Sequence, residues 1–403
     1  MMEKNTLNQK IQEILERGVE KVYPSKSFLK EKLLTKKPMK LYAGLDPTAS
    51  SLHIGHLAIL NKLAQFQKLG HQVFFLIGNF TSLIGDPTGR SAVRPQLTEK
   101  EVLANSRVFK EQAEKVLSFD SPNPARIVYN SQWLSELTLK DLIKLTSHFT
   151  VQQMMARDMF QKRVASKKPI FIHEFLYPIF QAYDSVALEA DMEVGGNDQT
   201  FNMLCGRSLV KDLQHREKIV LTGQLLINAD GSKMSKTASN AVFLSDAPLE
   251  MFGKIMSYPD SLIEPAFTLC TQVSYVEVKK IGKNLKKQEI NPRDAKIRLA
   301  QEIVGIIWGK GKAVQAAQEF QRIFQQKSLP SEIVEVKLSK RRILLVDLLI
   351  KTHLASSHSE ARRLIAQGGI KINQQVQREW NQEVAIPKGT IVQRGKRKFV
   401  RIQ

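Results

Sequence analysis

Leu41-Tyr42-Ala43-Gly44, His53-Ile54-Gly55-His56 and Val73-Phe74-Phe75-Leu76-Ile77 follow one another within about 40 residues, and their order decides the fold. The first reads as a short strand, closed by the turn Asp46-Pro47-Thr48. From about His53 to Leu69, Leu57, Leu60, Ala64 and Leu69 recur at helical spacing, and Gly70 stops the helix. The third is a continuous apolar run between His71 and Gly78, the pattern of a strand covered on both faces. Strand, helix, strand is one βαβ unit of a parallel sheet, and such sheets bind ligands beyond the carboxyl ends of their strands. Asp46-Pro47-Thr48 and Gly85-Asp86-Pro87-Thr88 are expected in that crevice.

About 180 residues after the two histidines comes Lys233-Met234-Ser235-Lys236-Thr237, just past the turn Asp230-Gly231. Together the two stretches suit transfer chemistry on a nucleoside triphosphate. Donors at a helix N-terminus face phosphates, and ammonium groups meet the charge that develops on a leaving pyrophosphate. His53 and His56 as a zinc pair lack a third Cys or His nearby.

The remaining pattern is more helical. Thr98-Glu99-Lys100-Glu101 is a capping box opening a helix to about Leu117, residues 131–190 are largely helical, and Gly195-Gly196-Asn197-Asp198 reads as a loop between helices. Leu249 to Gln326 is helical without a convincing strand, and Gln325 to Val336 reads as a linker broken at Pro330. Beyond it, Arg342 to Ile350 reads as a short helix, and Ser357-His358-Ser359-Glu360 caps another that Gly368-Gly369 closes. Alternating segments at Ile370–Ile372, Thr390–Val392 and Phe399–Ile402 complete a small α/β module.

Of 403 residues, 60 are Lys or Arg and 39 Asp or Glu, a net charge of +21, which argues for a polyanionic partner. Residues 337–403 hold 15 basic and 4 acidic side chains, about half of that excess. Arg362 and Arg363 point away from the core side of their helix, while Arg394, Lys396, Arg397, Lys398 and Arg401 stud the last strands. Such a surface suits an A-form RNA backbone, with a solvated charged face as the alternative. Cys205 and Cys270 stand alone, which excludes a disulfide scaffold and fits a reducing cytosol. No apolar run is long enough to span a bilayer, and the acidic residues Glu3, Glu13 and Glu16 disfavour a targeting peptide, so a cytoplasmic location is expected.

Taken together, the words Leu41 to Thr48, His53 to His56, Ile84-Gly85-Asp86-Pro87, Tyr177 through Gln181 to Asp184, Val194 to Gln199 and the lysine motif resemble the bacterial tyrosyl-tRNA synthetases, which are class I aminoacyl-tRNA synthetases. The C-terminal part is similar to an S4 RNA-binding domain. The resemblance implies a Rossmann-like catalytic domain over residues 1–228 with a helical insertion at about 100–190. It implies a helical domain over 229–328, a linker over 329–338 and an S4-like domain over 339–403. It further implies that Tyr42 and Asp184 bind the phenolic hydroxyl of tyrosine, that Asp86, Tyr177 and Gln181 hold its ammonium, and that Gln199 sits near its carboxylate. Gly196, Asp198 and His56 would contact ATP on its adenosine side, Asp46 and Gly55 would also bind ATP, and Thr48, His53, Lys233, Lys236 and Thr237 would serve its triphosphate, assisted by Arg90 and Arg94. Mg²⁺ would arrive with ATP, with no metal site of the protein's own. The implied partners are tRNA(Tyr), met by Arg341, Arg342, Arg362, Arg363, Lys371 and Arg397, and a second copy of the chain, paired through residues 100–190. A tryptophanyl relative, a non-catalytic RNA-binding protein and a nucleotidyltransferase without RNA are the competing readings. The paired phenol-binding residues, the intact histidines and lysines, and the basic tail weigh against each in turn.

Overall fold

The computed structural model describes residues 2–88, 97–227, 241–325, 333–338, 341–395 and 398–403. The chain divides into two compact units, residues 1–247 with 254–313, and residues 248–253 with 314–403.

The first unit is built on a six-stranded sheet. Its strands are β1 (Val19–Tyr23), β2 (Lys40–Leu45), β3 (Gln72–Ile77), β4 (Arg126–Tyr129), β5 (Met192–Gly196) and β6 (Ile219–Gly223), in the order β1-β6-β5-β2-β3-β4. All neighbours pair in parallel except β1 with β6. The chain leaves β2 toward β3 on one side and reaches β5 on the other, so the order reverses between β2 and β5. Their carboxyl ends therefore open a crevice at the switch point. The first βαβ unit lies where the pattern placed it, with Ile54–Lys68 as its helix and His53 as the N-cap.

Three strands depart from the expected pattern. β1 precedes the first strand that the pattern shows, and β6 falls between the segments that it reads. β5 ends in two residues expected to be loop, Gly195 and Gly196: Met192-Glu193-Val194-Gly195-Gly196 has a charge at its second position and two glycines at its end. It forms a strand because the ladders from β2 and β6 pair its backbone on both sides, and Lys218 neutralises the buried Glu193. Among the expected helices, those of residues 263–308 pack, with the sheet, into the first unit.

Buried cations tie this unit together. The Arg17 guanidinium donates to the carbonyls of Phe267, Thr268, Thr271 and Val273 at 3.2, 2.8, 2.6 and 2.7 Å, closing the C-terminus of helix Ile263–Cys270. Lys62 Nζ does the same for the N-terminal helix Met2–Glu16, donating to the carbonyls of Ile14 and Arg17 at 2.9 and 2.7 Å. Both side chains supply hydrogen bonds that water cannot reach.

In the second unit, β7 (Val334–Val336), β8 (Arg342–Leu344), β9 (Ile370–Ile372), β10 (Gln375–Gln377), β11 (Glu383–Ala385), β12 (Ile391–Arg394) and β13 (Lys398–Ile402) form a five-stranded sheet, β10-β9-β12-β13-β7, and the pair β11-β8. Helices Leu345–Lys351 and His358–Ala366 supply Leu345, Leu348, Leu349, Ala361 and Ile365 to its core. Val334–Val336, expected in the linker, pairs in parallel with β13 and belongs to this sheet. The expected helix from Arg342 begins only at Leu345, because Arg342–Leu344 pairs with β11.

Burial pushes the Lys62 ammonium down to about 7, with the Arg17 charge adding to the shift and Glu13 opposing it. A lysine depressed in the folded state binds fewer protons there than in the unfolded chain between pH 7 and its ordinary value. Stability should therefore rise with pH across that window, by at most about 1.4 kcal/mol per unit from this group. Chemical denaturation of the wild type and Lys62→Met at pH 7, 8 and 9 is expected to show the variant losing that part of the slope.

Candidate functional site

At the start of helix Ile54–Lys68 the two histidines cap each other. His53 takes an extended backbone (φ −114°, ψ 170°), and its Nδ1 accepts from the Gly55 amide at 3.1 Å, while His56 Nδ1 accepts from the His53 amide at 3.1 Å. The rings stack at 3.8 Å between centroids. With both Nδ1 atoms accepting, a neutral ring carries its proton on Nε2, so each histidine presents an N–H donor away from the backbone. Burial, with the His53 ring beside it, holds His56 well below the ordinary histidine range, which keeps it neutral. Gly55 makes this fold-over possible, since a Cβ there would sit 2.9 Å from His53 Cε1.

Lys233, Lys236 and Thr237 lie outside the described residues, as do Arg90 and Arg94. The chain that follows the lysine motif is nonetheless anchored to the histidine segment. The Ile54 amide donates to the Val242 carbonyl at 2.9 Å and the Leu244 amide to the Leu52 carbonyl at 2.8 Å, with His53 opposite Phe243.

Around the carboxyl ends of the strands stand three carboxylates, each held by protein donors. Asp46, just past β2, accepts from Tyr177 Oη at 2.9 Å and Thr81 Oγ1 at 2.7 Å. Gly78 leaves room for it, because a Cβ there would come within 2.1 Å of Asp46 Oδ1. Asp86 accepts from the Thr88 amide and hydroxyl at 2.9 and 2.6 Å and from Gln199 Nε2 at 2.8 Å. Asp184 accepts from Trp133 Nε1 at 2.8 Å and Asn130 Nδ2 at 3.4 Å. Burial, and then the Asp46 and Asp86 charges, raise the Tyr177 phenol well above its ordinary value, so it stays a donor.

Tyr177, Gln181 and Asp184 share one face of helix His173–Ala187, as their spacing predicts. Gln181 Nε2 donates to Glu193 Oε1 at 3.0 Å, and its buried Oε1 has no donor. An orphaned acceptor there suits an N–H donor such as an ammonium. Tyr42 on β2 is fully buried with its hydroxyl 2.7 Å from Ser185 Oγ. Burial, Glu193 and Asp184 raise its phenol well above the ordinary value. Thr48 follows β2, its amide donating to the Asp46 carbonyl at 2.7 Å. Gly196 ends β5, where a Cβ would meet Asp198 Oδ1 at 2.6 Å.

Sequence reasoning missed Asn130, Trp133, Ser185, Glu193 and Lys218. The available signal was a charge inside each of two adjacent apolar stretches, Met192-Glu193-Val194 and Lys218-Ile219-Val220-Leu221.

In the second unit the basic residues are spread over separate elements. Arg341 and Arg342 are exposed at β8, Arg362 and Arg363 on helix His358–Ala366, and Lys371 is half-buried on β9. Arg362 stacks over Trp380 at 4.4 Å. Arg394 instead turns inward, donating to the Leu354 carbonyl at 2.6 Å and to Glu360 at 2.8 Å. Arg397 lies outside the described residues.

Residues 34–325 match the family of class I tRNA synthetases for W and Y, and residues 323–402 match the SYY-like C-terminal domain of tyrosine–tRNA ligases. The tyrosine–tRNA ligase of Moorella thermoacetica is 44% identical over 393 residues, covering 96% of this chain and 94% of the relative. That of Aquifex aeolicus is 42% identical over 390 residues, 96% of this chain and 97% of the relative. Among solved structures, a C-terminally truncated mitochondrial tyrosyl-tRNA synthetase of Coccidioides posadasii superposes with a TM-score of 0.64 at 28% identity, over 77% of this chain and 91% of that one. The synthetase of Archaeoglobus fulgidus solved with L-tyrosine shares the fold, with a TM-score of 0.61 at 19% identity over 77% of this chain and 99% of that one.

Burial raises the Asp184 carboxyl well above its ordinary value, against the pull of Trp133 and Asn130. A raised carboxyl contributes stability that is complete below the unfolded value, near pH 4, and is lost as pH rises through the folded one. Asp184→Asn carries no such cost. Thermal unfolding across pH 4 to 8 should show the variant gaining on the wild type as pH rises.

Proposed function

The chain belongs to the tyrosyl-tRNA synthetases of class I, and from that membership we propose how its own residues carry out tyrosine–tRNA ligation. A tyrosine carboxylate oxygen attacks the α-phosphorus of ATP, the bond to the bridging oxygen breaks, and tyrosyl-adenylate and pyrophosphate form. A hydroxyl at the 3′ end of tRNA then attacks the tyrosyl carbonyl, and AMP leaves.

The observation that carries the reading is a phenol and a carboxylate, Tyr42 and Asp184, buried together beside the crevice at the strand ends. They answer the one group that separates tyrosine from phenylalanine. The unpartnered Gln181 Oε1, with Tyr177 and Asp86, receives the ammonium, and Gln199 lies beside Asp86 toward the carboxylate. The nucleophile is already ionised, so the site needs no general base, and its work is positioning and charge stabilisation. His53 and His56 offer Nε2–H donors to the phosphates, Thr48 joins them, and Gly196 with Asp198 lines the adenosine side. Lys233, Lys236 and Thr237, with Arg90 and Arg94, meet the pyrophosphate.

Mg²⁺ enters as part of the substrate, bound to the ATP phosphates. Asp46, Asp86 and Asp184 are each engaged by separate hydroxyl, amide or indole donors, which suits orientation of an amino acid better than a cation cage. Leu139, Ile143, Val151 and Ile172, all within residues 100–190, are apolar yet 69–81% accessible, which supports a homodimer. No described helix is long and apolar enough to cross a membrane. The exposed arginines of the second unit bind the tRNA backbone.

Pyrophosphate exchange should depend on tyrosine and respond far less to phenylalanine or tryptophan. Lys233→Ala and Lys236→Ala should each lower kcat for exchange by about tenfold or more while the KM for tyrosine moves little, since the lysines meet charge that appears in the transition state. A change confined to KM would contradict this role.

A chain ending near Leu329 lacks β7 to β13 but keeps every residue assigned to tyrosine and ATP. Its exchange activity should persist, while tRNA charging falls sharply and loses much of its dependence on salt, both measurable in a filter-binding charging assay.

A further inference from the structure

Beneath the phenol pocket lies a buried polar chain that the ligation chemistry does not by itself require. Lys218 is fully buried at the start of β6, paired with Glu193 of β5, and its Nζ lies 2.5 Å from Ser185 Oγ. Ser185 Oγ is in turn 2.7 Å from Tyr42 Oη. Gly206, on helix Thr200–Gln214, clears the space, since a Cβ there would come within 2.6 Å of Lys218 Nζ and 2.7 Å of Ser185 Oγ.

Each end of this chain has a fixed polarity. A lysine ammonium only donates, and a carboxylate only accepts. Ser185 must accept from Lys218, and its own hydrogen is then available to Tyr42. Tyr42, accepting from Ser185, keeps its own hydrogen to donate, to Glu193 beside it or to a substrate. A substrate phenol that donates to the Asp184 carboxylate has an oxygen free to accept that bond. We propose that Lys218 and Ser185 are positioning residues that set tyrosine specificity, by fixing the direction of a hydrogen-bond relay running from Lys218 through Ser185 and Tyr42 to the substrate hydroxyl and Asp184. The proposal rests on the assignment of Tyr42 and Asp184 to the phenol.

The relay makes rejection of phenylalanine sharper than two independent hydroxyl contacts do. With Lys218 in place, one Ser185 lone pair is taken by the ammonium, so a Tyr42 hydrogen turned back to Ser185 must share that oxygen with it. A phenylalanine ring offers the Tyr42 hydroxyl and Asp184 no partner across the pocket, and lost hydrogen bonds between buried groups are costly. Glu193 serves twice, neutralising Lys218 and accepting from Gln181 with its other oxygen. Ammonium and phenol recognition thus share one buried ion pair.

The test is the ratio of kcat/KM for tyrosine over phenylalanine in pyrophosphate exchange. Ser185→Ala should lower it about threefold to tenfold, the range of one neutral hydrogen bond. In a Tyr42→Phe background the same substitution should change it no further, because its effect passes through the Tyr42 hydroxyl. The pair Lys218→Met with Glu193→Gln, which removes both charges yet keeps an acceptor for Gln181, should reproduce the loss and stands in if Ser185→Ala does not fold. An unchanged ratio in Ser185→Ala, or equal losses with and without the Tyr42 hydroxyl, overturns the relay while leaving the phenol pocket intact. An unchanged ratio in Tyr42→Phe itself would instead remove the pocket assignment on which the relay stands.

Discussion

The ion pair between Glu193 and Lys218 is the constraint around which the first unit is arranged. Both charges lie inside the sheet layer, on adjacent parallel strands, where water cannot solvate them. Removing one partner of such a pair typically costs about 3–5 kcal/mol, because the other is left uncompensated. The pair therefore fixes β5 against β6, and its remaining valences reach the substrate side. Glu193 stands opposite Tyr42 in the ladder and holds Gln181, while Lys218 holds Ser185 and through it Tyr42. A β5 with so few apolar residues depends on this neutralisation as much as on its backbone ladders.

The crevice above this pair is assembled from strand ends that carry carboxylates already satisfied by protein donors. Asp46, Asp86 and Asp184 are oriented before any ligand enters, by Tyr177 and Thr81, by Thr88 and Gln199, and by Trp133 and Asn130. Such preorganisation is what a reaction without a general base needs, since the barrier falls through placement and through charges that need not reorganise. The histidine caps follow the same logic. Their Nδ1 atoms are spent on the backbone so that Nε2 is the end presented outward.

Much of the site was legible because its residues lie on elements with strong local signals. The helix from His53 has its cap, its periodicity and its stopping glycine in one stretch, and Tyr177, Gln181 and Asp184 share a face by helical spacing alone. The strand β3 announces itself as an unbroken apolar run. By contrast, Gly195-Gly196-Asn197-Asp198 reads as loop, yet its two glycines end a strand, Met192–Gly196, whose charge and glycines contradict strand propensity. Arg394 reads as a surface cation by composition, yet it bonds a carbonyl and Glu360. In both cases a long-range partner overrides local preference.

By itself, the sequence determined the βαβ unit, the helix start at His53, the shared face of Tyr177, Gln181 and Asp184, and the basic second unit. Each depends on spacing within one element, and the 2.0 and 3.6 periodicities carry that information directly. Only the tertiary structure decided which polar groups stand behind those residues. Ser185, Glu193 and Lys218 come from a helix and two strands, and Trp133 and Asn130 from a segment some 50 residues before Asp184. Hydrogen bonds between side chains on different elements have no period along the chain. They become visible only when parallel strands and the helix packed against them bring donor and acceptor within 3 Å, in a place where neither can turn to water instead.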